Sequence, residues 1–318
     1  MRRGLAAVVC SAALALAACQ QDGLQTGGAA PRLAGEAVSF APHTPGPLPQ
    51  TLLPAGFSPD LLQTPQPQSI PGILRLPPGE GRVPAVVILH STGGVDGRGE
   101  QYTQALLAQG IATFEIDMWA ARGIANRDGQ GRRPLVVLAM PDAYGALRFL
   151  ASHPRIDRDR IGAMGMSFGA NQALFVPTTQ IGQVFGSGLD FRATLSLYPV
   201  CWSFVGDGPN VHFVDQNFPR IPYLLLFGEQ DDYDADGGAA CRTLVSGGSD
   251  AARRRGAIHV YPGATHGWDT IAVGRVTYHS PSRARGRGGI GYVERNEAVT
   301  RDSIQRTVSF FRENLSAR

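Results

Sequence analysis

The sequence carries little net charge. Its 29 basic residues, all arginine, stand against 26 acidic ones and leave +3 over 318 residues. So small an excess gives no electrostatic ground for a nucleic-acid partner. Long apolar runs are also missing. LAAVVCSAALALAA, near the N-terminus, is too short to span a bilayer as an ordinary membrane helix. Cysteine is scarce, at four residues, and only Cys201 and Cys241 lie outside the N-terminal segment. That limits the body of the chain to one disulfide. What the chain does have is 43% hydrophobic and 17% charged residues, the balance of one sizeable globular domain with some residues left over.

The short apolar run follows Arg2 and Arg3 and ends in LAAC at residues 16–19. A positive start, an apolar stretch and small residues before a cysteine form an export signal of the bacterial lipoprotein type. Residues 1–18 are read as that signal peptide, with Cys19 lipidated as the new N-terminus; the alternative is an ordinary cleaved signal. In the lipoproteins that this segment resembles, an aspartate after the cysteine favours the inner membrane, so Gln20 implies the outer one. The expected location is the cell envelope, facing the periplasm, with membrane contact only through the N-terminal anchor. In an oxidising compartment Cys201 and Cys241 most simply pair; the alternative is two separate buried thiols.

Residues 19–68 are rich in proline and glycine, as in PHTPGPLPQ and TPQPQ, and show no clear period. They read as a tether and an irregular lead-in, of which Leu52, Leu53, Phe57, Leu61 and Leu62 are candidates to pack on the domain. From residue 69 to 318 short apolar runs alternate with helical periodicity. Expected strands are GILRLP, PAVVILH, IATFEID, RIGAMG, ATLSLYP, PYLLLFGE and AIHVYPG. Expected helices cover about 99–109, 134–152, 168–175, 239–254 and 299–314. This is an α/β pattern. The near-continuous apolar strands imply a mostly parallel central sheet with helices on both faces. In such sheets sites form at the carboxyl ends of strands.

Four strand ends carry polar groups suited to acyl transfer. RIGAMG leads into Ser167 within G-x-S-x-G, a sharp strand-to-helix turn that exposes its serine. PYLLLFGE leads into QDDYD, and AIHVYPGAT into His266 and Gly267. A serine hydroxyl is a poor nucleophile until an imidazole accepts its proton, and a carboxylate on the other ring nitrogen orients that imidazole. Of seven histidines, His266 alone follows a late strand in an HG context. Asp231 stands three residues past Gly228 and is the expected acid, with Asp232 the alternative; the spare carboxylates are read as solvated or as capping the helix near Ala239. The oxyanion needs backbone N–H donors, expected from Phe168 after the nucleophile and from Thr92 in HSTGG. His90, at a strand end, is read as shaping that turn. Trp119 and Arg122 in DMWAARG are candidate pocket residues, with plain packing as the alternative.

Taken together, VVILHSTGG, IDMWAARG, DRDRIGAMGMSFGA, LSLYPVC, LLLFGEQDDYDADGGAAC, VYPGATHGWD and the closing AVTRDSIQRTVSFFREN resemble the dienelactone hydrolase family of α/β-hydrolases. The resemblance implies one α/β domain, no metal and no cofactor, and hydrolysis of a small-molecule ester or lactone through an acyl-enzyme. The enzymes that name the family carry a cysteine nucleophile and a glutamate after the oxyanion strand. Here those positions are Ser167 and Ser91, so a serine esterase of different range is expected. A Cys201–Cys241 bond would brace the loop holding Asp231. The arginines of 275–287 are read as a solvated loop or an attractor of anions. Alternatives are a hydrolase of another acyl bond, such as a peptide amide or polysaccharide acetyl ester, and a lipoprotein binding module that keeps the fold without catalysis. Oligomeric state is not encoded in any pattern found.

Overall fold

The computed structural model of the protein describes residues 33–53, 58–63, 65–124 and 136–317. The expected signal peptide, Cys19 and the first part of the expected tether, residues 19–32, lie outside the described residues, as does Phe57. Among the described residues no helix is long and apolar enough to cross a membrane.

Eight strands form one sheet: β1 (Glu36–Phe40), β2 (Ile70–Arg75), β3 (Val83–Leu89), β4 (Ala112–Ile116), β5 (Ile156–Met166), β6 (Thr194–Leu197), β7 (Tyr223–Gly228) and β8 (Gly256–Tyr261). Their order is β1-β2-β4-β3-β5-β6-β7-β8. The six strands from β4 to β8 across the sheet run parallel, and β2 and β1 add antiparallel at one edge. Alternation along β3 explains the layers. Ala85, Val87 and Leu89 enter one core while Val86 and Ile88 enter the other. The first core is completed by α2 (Met140–Ser152), α3 (Phe168–Phe175), α4 (Thr179–Phe185) and α5 (Ala239–Ser246). The second is completed by α1 (Arg98–Leu107) and the C-terminal helix (Glu297–Asn314), through Tyr102, Leu106 and Phe311. The expected α/β architecture is therefore present, with all seven expected strands.

Three differences have physical causes. The domain starts before residue 69: EAVSF pairs along β2 from Glu36↔Leu74 to Phe40↔Ile70. Only Phe40 of those five side chains is buried, packed edge-on to Phe114 at 5.3 Å, so the segment lacks a strand-like apolar alternation. Leu52 and Leu53 are buried as expected. The helix expected over 239–254 breaks at Gly247 and Gly248. A Cβ on Gly248 would stand 2.4 Å from the Phe218 carbonyl oxygen, and Ser249 then caps a new turn, α6 (Asp250–Arg253), by accepting the Ala252 N–H. Last, 275–294 is neither loose nor solvated throughout. Two strands, β9 (Arg275–His279) and β10 (Ile290–Glu294), pair antiparallel as a hairpin.

Candidate active site

Ser167 sits between β5 and α3 with φ 53° and ψ −106°. A non-glycine residue there carries strain of roughly 1–3 kcal/mol. Its neighbours make the turn possible. A Cβ on Gly165 would lie 2.0 Å from the Gly169 carbonyl oxygen, and one on Gly169 would lie 2.1 Å from that of Leu89. Only hydrogen fits at both places. Hydrogen bonds then pin the turn to its neighbours: the Ser167 N–H donates to the Leu197 carbonyl at 3.1 Å, and the Gly169 N–H to that of His90 at 3.1 Å.

Asp231 follows β7, and its own N–H closes a turn onto the Gly228 carbonyl at 3.0 Å. His266 follows β8, just before Gly267, whose φ of 62° suits glycine. The fold brings the three side chains into one line. His266 Nδ1 lies 2.7 Å from Asp231 Oδ2, and His266 Nε2 lies 2.8 Å from Ser167 Oγ. All three are buried. Asp231 Oδ1 also accepts the Tyr233 N–H at 3.0 Å. The imidazole is held between two rings, Tyr198 at 4.9 Å and Tyr233 at 4.4 Å between centroids.

The expected oxyanion elements stand beside this line. Phe168 is the first residue of α3, where a helix offers its N–H no carbonyl of its own. Thr92 lies in a tight turn closed by Gly94 N–H to Ser91 carbonyl at 3.0 Å. Ser91 Oγ accepts from the Gly93 N–H at 3.2 Å and from Arg98 Nη2, and Arg98 is itself paired with Asp96. His90 is buried, with burial lowering its pKa to about 4, so it is neutral at ordinary pH. It ties the turn down: its Nε2 accepts the Met118 N–H at 3.0 Å, and its Nδ1 faces the Ser91 carbonyl at 2.8 Å.

Trp119 and Arg122 take the packing alternative. Trp119 is 0% exposed; its ring lies 4.9 Å from Phe168 and 5.0 Å from His90, and its Nε1–H donates to the Thr92 carbonyl at 3.0 Å. It therefore joins the two turns from behind instead of lining open space. The Arg122 guanidinium is taken up by the buried carboxylate of Asp142, at 2.6 Å, and by the Met118 carbonyl. Burial raises Asp142 to about 6 despite that partner.

The spare aspartates do not cap α5. Asp236 does, accepting from Gly238, Ala239 and Ala240 N–H groups at 2.9–3.0 Å. Asp232 instead binds the 275–294 hairpin. Asp234 accepts the Cys201 and Trp202 N–H groups at 3.0 and 2.8 Å. Burial first, then the nearby Asp231 charge, raises its pKa to about 8. Cys201, just after β6, and Cys241, in the first turn of α5, are joined in a disulfide. Their sulfurs lie near Asp234, but sulfurs bonded to each other are not thiolate ligands, so this cluster is unsuited to a metal.

Sequence reasoning missed a second buried network behind His266. Asp269 accepts from the Tyr198 hydroxyl at 2.7 Å and the Tyr102 hydroxyl at 2.9 Å, and burial raises its pKa. The only local signal was an aspartate in the HGWD stretch; its partners are 71 and 167 residues away.

A family model, Dienelactone hydrolase family, matches residues 70–315. No curated protein matches the sequence. Among solved structures, a dienelactone hydrolase from Anabaena variabilis is 17% identical, with TM-score 0.53, over 78% of this chain and 93% of that one. A putative dienelactone hydrolase from Klebsiella pneumoniae is 16% identical, with TM-score 0.53, over 87% and 98%. Est1E from Butyrivibrio proteoclasticus, solved with ferulic acid bound, is 14% identical, with TM-score 0.52, over 78% and 96%. Identities this low speak for the shared α/β-hydrolase fold, and the family match carries the rest: the chain belongs to the dienelactone hydrolase family and is a hydrolase acting on esters or lactones.

Proposed function

We propose that the protein is a serine hydrolase that cleaves carboxylic esters or lactones through an acyl-enzyme. The continuous line Asp231 Oδ2···Nδ1 His266 Nε2···Oγ Ser167, at 2.7 and 2.8 Å, is the observation that carries this reading. Ser167 Oγ attacks the substrate carbonyl carbon as His266 Nε2 takes its proton. Asp231 keeps the remaining proton on Nδ1 and stabilises the imidazolium. The Phe168 and Thr92 N–H groups receive the oxyanion. Collapse of the tetrahedral intermediate breaks the bond to the alcohol oxygen, which leaves with the proton from Nε2. Water, activated by the same nitrogen, then releases the acid.

Short- to long-chain p-nitrophenyl esters and simple lactones, run beside Ser167→Ala, test the assignment. Turnover that Ser167→Ala abolishes supports it. Turnover confined to amides or acetylated polysaccharide would move the reading to another acyl bond. No turnover of any acyl substrate would favour a binding module.

We further propose export with a lipid at Cys19. The N-terminal sequence pattern supports this, and the Cys201–Cys241 disulfide fits an oxidising compartment. Intact mass of the natively produced protein checks it: an acylated N-terminal cysteine is expected, and an unmodified N-terminus at Met1 would contradict it.

A further inference from the structure

The hairpin 275–294 is absent from the catalytic scheme above, yet it reaches the loops that hold two of its members. Its docking centres on Asp232. The Tyr278 hydroxyl donates to Asp232 Oδ1 at 3.0 Å, and Arg283 Nε donates to Oδ2 at 3.0 Å. The Ala284 N–H donates to the Asp232 carbonyl at 3.0 Å, and the Arg285 N–H to that of Tyr233 at 2.9 Å. Both Ala284 and Arg285 hold positive φ, 49° and 59°, a conformation that L-residues adopt at a cost. These contacts offset that cost. A Cβ on Gly291 would stand 2.5 Å from Asp232 Oδ2, so β10 admits the carboxylate only because it carries glycine there.

The hairpin has two faces. Arg275, Thr277 and Tyr292 share one, where the Arg275 guanidinium lies 4.1 Å from the Tyr292 ring centre. Val276, Tyr278, Gly291 and Val293 share the other by strand alternation. This second face meets the site. Tyr278 stacks on Tyr233 at 5.9 Å and 16°, and Tyr233 lies against His266. Val293 packs on Gly267, close enough that a Cβ there would be 3.2 Å away. Val276 pairs with Val293 and stays 40% exposed, an open apolar lip beside the His266 loop.

We propose that Asp232 is a positioning residue: it latches the 275–294 hairpin over the Asp231 and His266 loops, where the hairpin forms an apolar wall of the substrate site and sets acyl-chain preference. This rests on the reading of Ser167, His266 and Asp231 as the catalytic machinery. Asp232 touches no reacting atom. It acts through Tyr278, Arg283 and the backbone they hold.

Limited trypsin digestion and ester kinetics on the full chain test the latch. The protein has no lysine, so trypsin cuts only after arginine, and Arg283, Arg285 and Arg287 lie in the docked turn. Loss of a charged hydrogen bond should open that turn more often. Asp232→Asn is expected to speed cutting at all three sites about tenfold, and Arg283→Gln, which removes the first of them, to do the same after Arg285 and Arg287. The double variant should add little, because the two residues share one interaction. The kcat/KM ratio for p-nitrophenyl decanoate over acetate should shift about fivefold in each variant, mostly through KM, the size expected for losing about 1 kcal/mol of binding. Unchanged cutting in folded variants would overturn the latch. Faster cutting with an unchanged ratio would overturn the wall. If Asp232→Asn does not fold, Tyr278→Phe removes one hydrogen bond without touching a charge and is read the same way. Failure of the wild type to turn over esters would overturn the catalytic reading and the wall with it, while the cutting rates would still decide the latch.

Discussion

Asp231, Asp232 and Asp234 occupy four residues of chain and three environments. Asp231 faces His266, Asp232 faces the hairpin, and Asp234 faces the Cys201 and Trp202 N–H groups. Substitution should separate them. Asp231→Asn removes the charge that orients His266 and should lower kcat roughly 10³–10⁴-fold, whereas Asp232→Asn should leave kcat within about tenfold. Equal losses would contradict the division of roles. Asp234 makes a different prediction, about pH. Burial and the Asp231 charge push its folded pKa up to about 8, well above the ordinary carboxylate value of 3.8, so the folded state holds this proton more tightly than the unfolded chain. That contribution to stability is complete below pH ~4 and is lost as pH rises through about 8. Asp234→Asn cannot ionise. Its melting temperature relative to wild type should therefore climb between pH 4 and 8, and a flat difference would contradict a raised Asp234. The slope carries the test, since the amide also alters the local hydrogen bonds by a fixed amount.

Legibility varied from element to element for physical reasons. The parallel strands were readable because burial on both faces leaves unbroken apolar runs such as PAVVIL. The Ser167 turn was readable because steric demand at Gly165 and Gly169 leaves only glycine. β1 was not, since an edge strand buries little beyond Phe40. The hairpin was not, because its anchors are Asp232 and Tyr233, some 46 to 52 residues earlier, and an arginine-rich stretch alone does not reveal what it is paired with. Cys201 and Cys241 were readable as a pair, and the structure adds what they join: the end of β6 and the start of α5, on either side of the acid loop. Closing a loop of 40 residues should contribute about 4 kcal/mol in a chain-entropy account. Urea unfolding of Cys201→Ala/Cys241→Ala is expected to show a loss of that order. A change under about 1 kcal/mol would mean that the unfolded chain is already confined there.

Across the whole molecule, the parallel sheet acts as a ruler. Strand ends β5 and β7 and the loop after β8 set Ser167, Asp231 and His266 along one edge, and β3 delivers the Thr92 turn beside them. The disulfide, the Tyr198–Asp269–Tyr102 network and the hairpin lie near the same edge. On the reading proposed above, this edge makes Ser167 a nucleophile. Treating the folded protein with a fluorophosphonate probe and mapping the adduct by peptide mass spectrometry tests it most directly. One adduct is expected, on Ser167, absent from Ser167→Ala and strongly slowed in a His266→Gln variant. A folded protein that takes no label, or takes it on another serine, would contradict it.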